Sequence, residues 1–234
     1  MEKHFLTEVH EILLIGELKE IGILLLKNTS KVMAQGRSIF YKERDWNDFH
    51  FYHGSVLNQV KIIQPSTYYE SRGSTSTTYH TDYYDRILPA VDRNDGLKFK
   101  HDGYSKSKEG VLRGMEYDKK TWKLVSCIHG KIYLVVLDVR EGNINKNPNY
   151  GKSESFILSP ETATQVLIPP MFANGYYVME DDSIMTYKLA YEGEFNNVDE
   201  QQTLRWDSDK FNMEWPCTNP ILSKRDNNAK KTVK

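Results

Sequence analysis

The chain has 234 residues, of which 39% are hydrophobic and 27% charged, and this composition excludes disorder as the dominant state. Its 31 lysines and arginines nearly balance 32 aspartates and glutamates, which argues against a large basic face for nucleic acid. No apolar run reaches the ~18 residues of a membrane-spanning helix. The only cysteines, Cys127 and Cys217, are too few for a disulfide scaffold. The first residues lack a signal-peptide pattern, so we expect a cytoplasmic protein.

Residues 1–58 differ from the rest in their hydrophobic pattern and are predicted to form an N-terminal extension. Within them, the segment His10–Lys27 repeats isoleucine and leucine at spacings of three and four, at Ile12, Ile15, Leu18, Ile21 and Leu25. That spacing favours an amphipathic helix. A pair of strands is the alternative, because Gly16 and Gly22 could punctuate the segment.

From Val60 onward, short runs rich in β-branched and aromatic residues alternate with turn-forming residues. The runs are Val60–Ile63, Trp122–Ile128, Lys131–Val139, Ser155–Leu158, Gln165–Ile168, Gly175–Met179 and Ile184–Leu189. Short strands at such spacing predict an all-β sandwich or barrel, and the lack of a helical period excludes alternating β/α units. We expect this domain to span residues 59–226 and a polar tail to follow over residues 227–234.

The segment Phe99–Asp118 joins a polar stretch to Gly-Val-Leu-Arg-Gly and then to an acidic–aromatic pair. Together with later segments in the same order, it resembles the dTDP-4-dehydrorhamnose 3,5-epimerase family. Those segments are Trp122–Val125, Leu137–Arg140 with Asn147–Gly151, Ile168–Tyr176, Tyr187-Lys188, Leu204–Pro216 and Ile221–Asp226, with a weaker upstream match at Glu70–Gly73. The resemblance implies a cupin-type double-stranded β-helix, or jelly-roll.

The same resemblance implies a reaction. The family's enzymes epimerise a nucleotide-diphospho-4-keto-6-deoxy-sugar at C3, C5 or both, in deoxysugar or surface polysaccharide biosynthesis. A base removes the proton beside the ketone, a cation holds the enolate, and an acid returns a proton on the opposite face. The resemblance further implies no metal or other cofactor, and a homodimer whose protomers exchange N-terminal strands. From the charge balance and the lack of a long apolar run, we expect no nucleic-acid or membrane partner.

Three site positions are filled as the resemblance predicts. Tyr187 falls on the acid, and an ordinary phenol is protonated at neutral pH because its pKa is ~10. Lys123 falls on the enolate-stabilising lysine, and Arg113 on an arginine that would grip a phosphate or the sugar. Without the resemblance, each would be read as an ordinary strand residue. Further predicted substrate contacts are Arg72, His101 and Ser107.

The family's catalytic base is replaced in this chain. Glu116 stands where the family has its histidine, and Asn174, a further predicted substrate contact, replaces a second histidine. Asp226, which would orient the missing base, is present. If Glu116 is the base, it must lie near Asp226, where two carboxyls would resist double ionisation and one would keep its proton toward neutral pH. The alternative is a catalytically altered or inactive cupin that only binds a sugar nucleotide.

The residues expected to hold the nucleotide also depart from the family. After Arg72 the chain reads Gly-Ser-Thr-Ser-Thr in place of an aromatic and an acidic residue, while Gly103 replaces an asparagine and Tyr104 a histidine. The sequence therefore leaves thymidine, guanosine and cytidine nucleotides open. A metal-dependent cupin oxygenase is disfavoured, because the chain lacks a His-x-His pair with a following Glu and a later His.

Overall fold

The computed structural model describes residues 50–89, 97–140, 147–195 and 201–231. The chain divides into two compact units, residues 44–67 with 75–234, and residues 1–43 with 68–74. The segment His10–Lys27, and with it the choice between a helix and two strands, lies outside the described residues.

Thirteen strands provide most of the regular secondary structure in the described chain. They are β1 (His50–His53), β2 (Lys61–Gln64), β3 (Thr67–Glu70), β4 (Gly73–Ser76), β5 (Phe99–Ser107), β6 (Leu112–Tyr117), β7 (Trp122–His129), β8 (Ile132–Asp138), β9 (Ser153–Leu158), β10 (Gln165–Ile168), β11 (Phe172–Val178), β12 (Ser183–Ala190) and β13 (Gln202–Thr203). Two short helices, α1 (Thr81–Tyr84) and α2 (Lys224–Asn227), and a 3₁₀ turn at Asp85–Ile87 complete the elements of the described residues.

Two antiparallel sheets form the body of the larger unit. The six-stranded sheet has the order β1-β2-β10-β7-β12-β5, and the five-stranded sheet has the order β13-β6-β11-β8-β9. Neighbours in these orders are mostly distant in sequence, as the crossing connections of a jelly-roll require. The structure thus confirms the predicted all-β class, and it confirms each of the seven predicted strand runs to within three residues at either end.

The core lies between the inner faces of the two sheets. Its buried members are Leu57, Val60, Val125, Cys127, Ile132, Leu134, Val136, Leu158, Val166, Ile168, Phe172, Tyr176 and Val178. They come from β7 to β11 and from the turn before β2. Alternate residues of each strand point into this layer, which is the pattern of two packed sheets.

A second cluster covers part of the outer face of the six-stranded sheet. Tyr84, Ile87 and Leu88, from the α1 segment, pack with Leu124 and Leu167 of the sheet. The buried Tyr84 hydroxyl donates to Gln165 Oε1 at 2.7 Å, which satisfies it away from water. Burial raises the pKa of Tyr84 well above its ordinary value.

The jelly-roll extends past the expected domain bounds at both ends. Strand β1 lies before residue 59, yet it pairs along its whole length with β2 in the six-stranded sheet. At the other end, the main-chain N–H of Arg205 donates to the carbonyl of Lys230 at 2.8 Å. The serine hydroxyl of Ser208 also donates to the carbonyl of Lys231. Residues 50–58 and 227–231 are therefore bonded into the fold.

Candidate active site

Tyr187 lies on the inner face of the six-stranded sheet. The register pairs it with Gly103 on β5 and with Val125 on β7. Directly paired residues of antiparallel strands share a face, and Val125 belongs to the core between the sheets. The phenol of Tyr187 is therefore directed into the interior of the jelly-roll.

Lys123, His101 and Ser107 share that inner face. Leu189, two residues beyond Tyr187, pairs with His101 on one side and with Lys123 on the other. Ser107 lies four residues beyond Gly103 on β5, and the period of two residues in a strand returns it to the same face. Four predicted site residues are thus gathered on one face of the six-stranded sheet.

The opposite wall of the interior carries Glu116, Arg113 and Asn174. On β6 and β11, Glu116 pairs with Asn174, and Arg113 pairs with Tyr176. The paired positions are therefore three residues apart on β6 but only two residues apart on β11. Residues three apart in a regular strand would face opposite ways. The extra residue is a β-bulge, and it turns both Arg113 and Glu116 toward the interior.

This bulge depends on a glycine. Gly114 has φ of 110°, and a Cβ there would lie 2.6 Å from both the carbonyl oxygen of Asn174 and the Cα of Gly175. Only glycine combines this dihedral angle with so close a backbone approach. The glycine of the Arg-Gly-Met-Glu segment therefore has a physical role, which is to let Arg113 and Glu116 line one cavity wall.

The carboxylate of Glu116 forms an ion pair with Arg225 of α2. Nε of the same guanidinium lies 3.6 Å from the Asp226 carboxylate, and Asp226 is buried. Glu116 and Asp226 thus meet at one side chain, but that side chain is an arginine where a shared proton or water was expected. The guanidinium of Arg225 thus lies between the two carboxylates.

Arg225 is a site residue that the sequence analysis missed. The available signal was its position, immediately before Asp226 in a segment already singled out for the resemblance. Ser223 caps α2 by accepting a hydrogen bond from the main-chain N–H of Asp226 at 3.1 Å, and this starts the helical turn. One turn of helix is therefore enough to present both Arg225 and Asp226 to β6.

The side-chain amide of Asn174 is hydrogen-bonded to the main chain. Its side-chain Nδ2 donates to the carbonyl of Glu116 at 2.9 Å and to that of Phe172 at 3.2 Å. These bonds fix β6 against β11 beside the bulge. The substrate contact predicted for Asn174 would then fall to its Oδ1 atom.

Lys123 lies near the start of β7, and its side chain is only partly exposed. Burial lowers the pKa of its ammonium below the ordinary value, and the charge of Asp118 acts in the opposite direction. The Asp118 carboxylate also accepts hydrogen bonds from the main-chain N–H groups of Lys120 and Thr121, at 2.9 and 2.7 Å. A cation in such surroundings interacts strongly with negative charge that develops nearby.

Arg113 and Ser107 contact each other across the two sheets. Nε of Arg113 donates to the Ser107 hydroxyl at 3.0 Å. The neighbouring Tyr176 is buried, and burial raises the pKa of its phenol, with Ser107 and Arg113 acting against that rise. Two predicted substrate contacts are therefore joined, and the terminal nitrogens of Arg113 are the atoms that would meet an anion.

An aromatic row leads away from Tyr187. The ring centroids of Tyr187 and His101 are 6.1 Å apart, and those of His101 and Phe195 are 4.9 Å apart. Phe195 lies 5.3 Å from Tyr191 in turn. His101 therefore lies at the site, and Phe195 joins it from a loop that carried no sequence motif.

Arg72 belongs to the smaller of the two units. It lies in the turn between β3 and β4, where its side chain is exposed and forms an ion pair with Glu70. Its role as a substrate contact stays a prediction.

Cavity volume does not identify this site. One cleft of about 390 Å³ is lined by residues that include Gly151, Ser153 and Asn212. Another, of about 320 Å³, lies beside Arg225 and Tyr117. The first cleft contains none of the residues described at the site, and the second contains only Arg225 of them, so the site is defined by strand register and by side-chain contacts.

Residues 50–89, 97–140, 147–195 and 201–231 contain neither a metal-ion cluster nor a membrane-spanning helix. No three His, Cys, Asp or Glu side chains there are grouped so that they could hold a metal ion. No helix there is both long and apolar enough to cross a membrane.

Comparison with known proteins gives a consistent result. A family model described as dTDP-4-dehydrorhamnose 3,5-epimerase matches residues 55–233. A curated relative of that name from Shigella flexneri is 32% identical over 180 residues, which cover 76% of this chain and 93% of the relative. A second, from Methanothermobacter thermautotrophicus, is 30% identical over 181 residues, covering 74% of this chain and 90% of the relative.

Solved structures agree with the sequence relatives. The dTDP-6-deoxy-D-glucose-3,5-epimerase of Legionella pneumophila, in complex with dTDP-4-keto-L-rhamnose, superposes with a TM-score of 0.67 at 29% identity. That match covers 78% of this chain and 92% of the other. The dTDP-4-dehydrorhamnose 3,5-epimerase of Elizabethkingia anophelis gives a TM-score of 0.65 at 27% identity, over 78% of this chain and 95% of the other.

Proposed function

Because this chain belongs to the dTDP-4-dehydrorhamnose 3,5-epimerase family, we propose that it epimerises a nucleotide-diphospho-4-keto-6-deoxy-sugar beside the ketone, in deoxysugar or surface polysaccharide biosynthesis. The family match spans most of the chain, and it favours an enzyme over the alternative of a binding-only cupin. The reaction removes a proton alpha to a carbonyl and returns one on the other face of the ring.

One observation carries the proposal. Glu116 lies on the inner face of the five-stranded sheet, and Tyr187 lies on the inner face of the six-stranded sheet. A sugar ring held between the sheets would present one face to the carboxylate and the other to the phenol. Inversion of a carbon needs this arrangement of base and acid.

Glu116 is the proposed base, with Arg225 and Asp226 as its support. The ion pair with Arg225 holds the Glu116 carboxylate on the inner face of the sheet. The two side chains of the pair are 35% and 43% exposed, so solvent screens part of their attraction. A carboxylate is an intrinsically weak base for a carbon acid, so more of the catalytic demand falls on stabilisation of the enolate.

Lys123 is the proposed source of that stabilisation. It shares the inner face with Tyr187, and its buried ammonium would lie near the ketone oxygen as negative charge develops there. A preorganised cation that is shielded from water contributes most to the transition state, where the oxygen carries most charge. Formation of the enolate therefore requires Lys123 in its protonated form.

The nucleotide side of the substrate is assigned to Arg113, with Ser107 and His101 nearby. The guanidinium faces the interior and could bind the diphosphate or a sugar oxygen through two parallel hydrogen bonds. The Legionella relative was solved with a thymidine diphosphate sugar. A thymidine-linked 4-keto-sugar is thus the first substrate to test.

The proposal includes a homodimer in the cytoplasm. Among the described strands, β5 is an edge of the six-stranded sheet, and Tyr104 on it is 70% exposed, which suits a second copy better than solvent. Cys127 and Cys217 are both free thiols, as is usual for proteins of a reducing compartment. Light scattering on the purified full chain measures the oligomeric state directly.

Solvent exchange tests the reaction. In deuterium oxide, the enzyme should introduce deuterium at C3, C5 or both of a thymidine-diphospho-4-keto-6-deoxy-sugar, which NMR detects even if the product is unknown. Calorimetry with the same compound measures binding separately. If thymidine, guanosine, cytidine and uridine derivatives bind but none exchanges, the binding-only cupin replaces this proposal.

A further inference from the structure

The phenol of Tyr187 lies directly over a glycine. Gly103 on β5 pairs with Tyr187 on β12, and both lie on the inner face. A Cβ at position 103 would lie 2.5 Å from Cζ, 2.5 Å from Oη and 2.8 Å from Cε2 of Tyr187. The hydroxyl end of the ring thus occupies the space that any other side chain at this position would take.

Backbone geometry does not explain this glycine. The φ angle of Gly103 does not lie in the positive range, so other residues could adopt its backbone conformation. Glycine inside a strand is usually unfavourable, and where it occurs it often marks a close approach by another group. Here that group is the ring of Tyr187, which is the proposed proton donor.

We propose that Gly103 is the positioning residue for Tyr187: its missing side chain sets where the phenol delivers its proton. The inference rests on the proposed function, because it requires Tyr187 to act as the acid. The His101 ring, with its centroid 6.1 Å from that of Tyr187, borders the same space, so the phenol rests on β5 beside an aromatic neighbour.

A methyl group at position 103 would move the phenol rather than the strands. Strand β12 is hydrogen-bonded along its length to β5 on one side and to β7 on the other, which holds its backbone in place. The clashing atoms are at the far end of the tyrosine side chain, where small rotations produce the largest shifts. To reach ordinary contact, Oη must move by about 1 Å, and a misplacement of that size can cost ~10²-fold in rate.

Gly103→Ala separates this role from a structural one. Proton removal by the base should continue, so deuterium exchange should stay within about threefold of the unmodified enzyme, while net inversion should fall by ~10²-fold. Lys106→Ala on the same strand is the control, because Lys106 faces outward and pairs with Asp182 at 3.0 Å. The control should preserve both rates.

A double variant tests the connection to Tyr187. In the Tyr187→Phe background, where inversion is lost but exchange remains, Gly103→Ala should leave the exchange rate of Tyr187→Phe unchanged. If Gly103→Ala inverts at the unmodified rate, or lowers exchange and inversion together, the positioning role is wrong. If Tyr187→Phe itself keeps inversion, the error lies in the proposed acid.

A folding control keeps the test decisive. Should Gly103→Ala fail to fold, Gly103→Ala with Tyr187→Ala removes the clashing ring. Recovery of the thermal midpoint of Tyr187→Ala would support the contact, and continued failure to fold would overturn it.

Discussion

The interior of the jelly-roll has two sides with different chemistry. On the side built from β7 to β11, inward residues such as Val125, Leu134 and Phe172 are buried and apolar. The polar side consists of inward residues of β5, β6 and β12, such as His101, Glu116 and Tyr187, together with Lys123 of β7 and Asn174 of β11, and these residues remain partly exposed. The same pair of sheets thus forms a stabilising core on one side and a polar cavity wall on the other.

The difference shows how one fold separates stability from chemistry. Burial of apolar side chains contributes most of the folding free energy, and it needs close packing rather than particular polar groups. The polar side needs exact residue types but contributes little burial. Substitutions on the apolar side should therefore lower stability, whereas substitutions on the polar side should lower catalysis.

The largest effect on stability should come from the apolar side. Leu134 is 1% exposed, and Leu134→Ala should lower the free energy of unfolding by about 2–5 kcal/mol, because it leaves a cavity between the sheets. Urea denaturation measures the change. His101→Ala, from the polar side, is the matched comparison and should change stability by under about 1 kcal/mol. Equal losses from both variants would remove the distinction between the two sides.

The largest effect on rate should come from Lys123. Lys123→Met should reduce deuterium exchange by about 10²–10³-fold, since it removes the cation beside the enolate oxygen. Because burial lowers the pKa of Lys123 below 10.5, exchange by the unmodified enzyme should fall, as pH rises, before an ordinary lysine would lose its proton.

Lys123→Arg checks that pH assignment. Arginine stays protonated throughout, so the alkaline decrease should move to higher pH. The profile is best measured in the Tyr187→Phe background, where no phenol at position 187 can ionise. An unchanged alkaline decrease in Lys123→Arg would show that another group causes it.

A smaller effect should follow from Arg113. Arg113→Ala should raise the substrate dissociation constant by about 10–100-fold, as expected for loss of a charge-assisted hydrogen bond of ~1.5–3 kcal/mol. Isothermal titration calorimetry measures the affinity, and circular dichroism checks the fold. Ser107→Ala tests the partner of Arg113 and should weaken binding less. Unchanged affinity in Arg113→Ala would make Arg113 a structural residue.

The smallest effect should come from the N-terminal extension. Deletion of residues 1–49 ends immediately before β1, so the chain that remains should be soluble and folded, with any loss confined to assembly. Thermal unfolding and light scattering measure the two properties. A truncated chain that cannot fold would show that the segment His10–Lys27 belongs to the core.

The sequence predicted the apolar side better than the polar side. Runs such as Lys131–Val139 are rich in β-branched residues, and each forms a strand close to its expected bounds. Strand β5 was not predicted from its composition, because its inward positions are His101, Gly103, Ser105 and Ser107. A strand that lines a cavity lacks the apolar alternation by which strands are recognised.

Only those site residues that lie in a recognised motif could be predicted from the sequence. Tyr187, Lys123 and Arg113 were found by their place in ordered segments, and the register brings them to the interior. The Glu116–Arg225 ion pair joins residues that are 109 positions apart in the sequence, and no local pattern predicts such a contact. The same holds for Gly103 and Tyr187, whose contact depends on strand pairing.

The central claim is that Glu116 removes the substrate proton and that Tyr187 returns it from the opposite sheet. Glu116→His, which restores the family's residue beside Asp226, should retain or increase activity on this account. Glu116→Gln preserves shape but removes the basic oxygen, so it isolates the chemical role of the carboxylate.

The most direct measurement is deuterium exchange into a thymidine-diphospho-4-keto-6-deoxy-sugar, followed by NMR for Glu116→Gln and Tyr187→Phe in parallel. The account predicts that Glu116→Gln abolishes exchange while nucleotide binding persists, and that Tyr187→Phe retains exchange but loses inversion. Exchange at the unmodified rate in Glu116→Gln would contradict it.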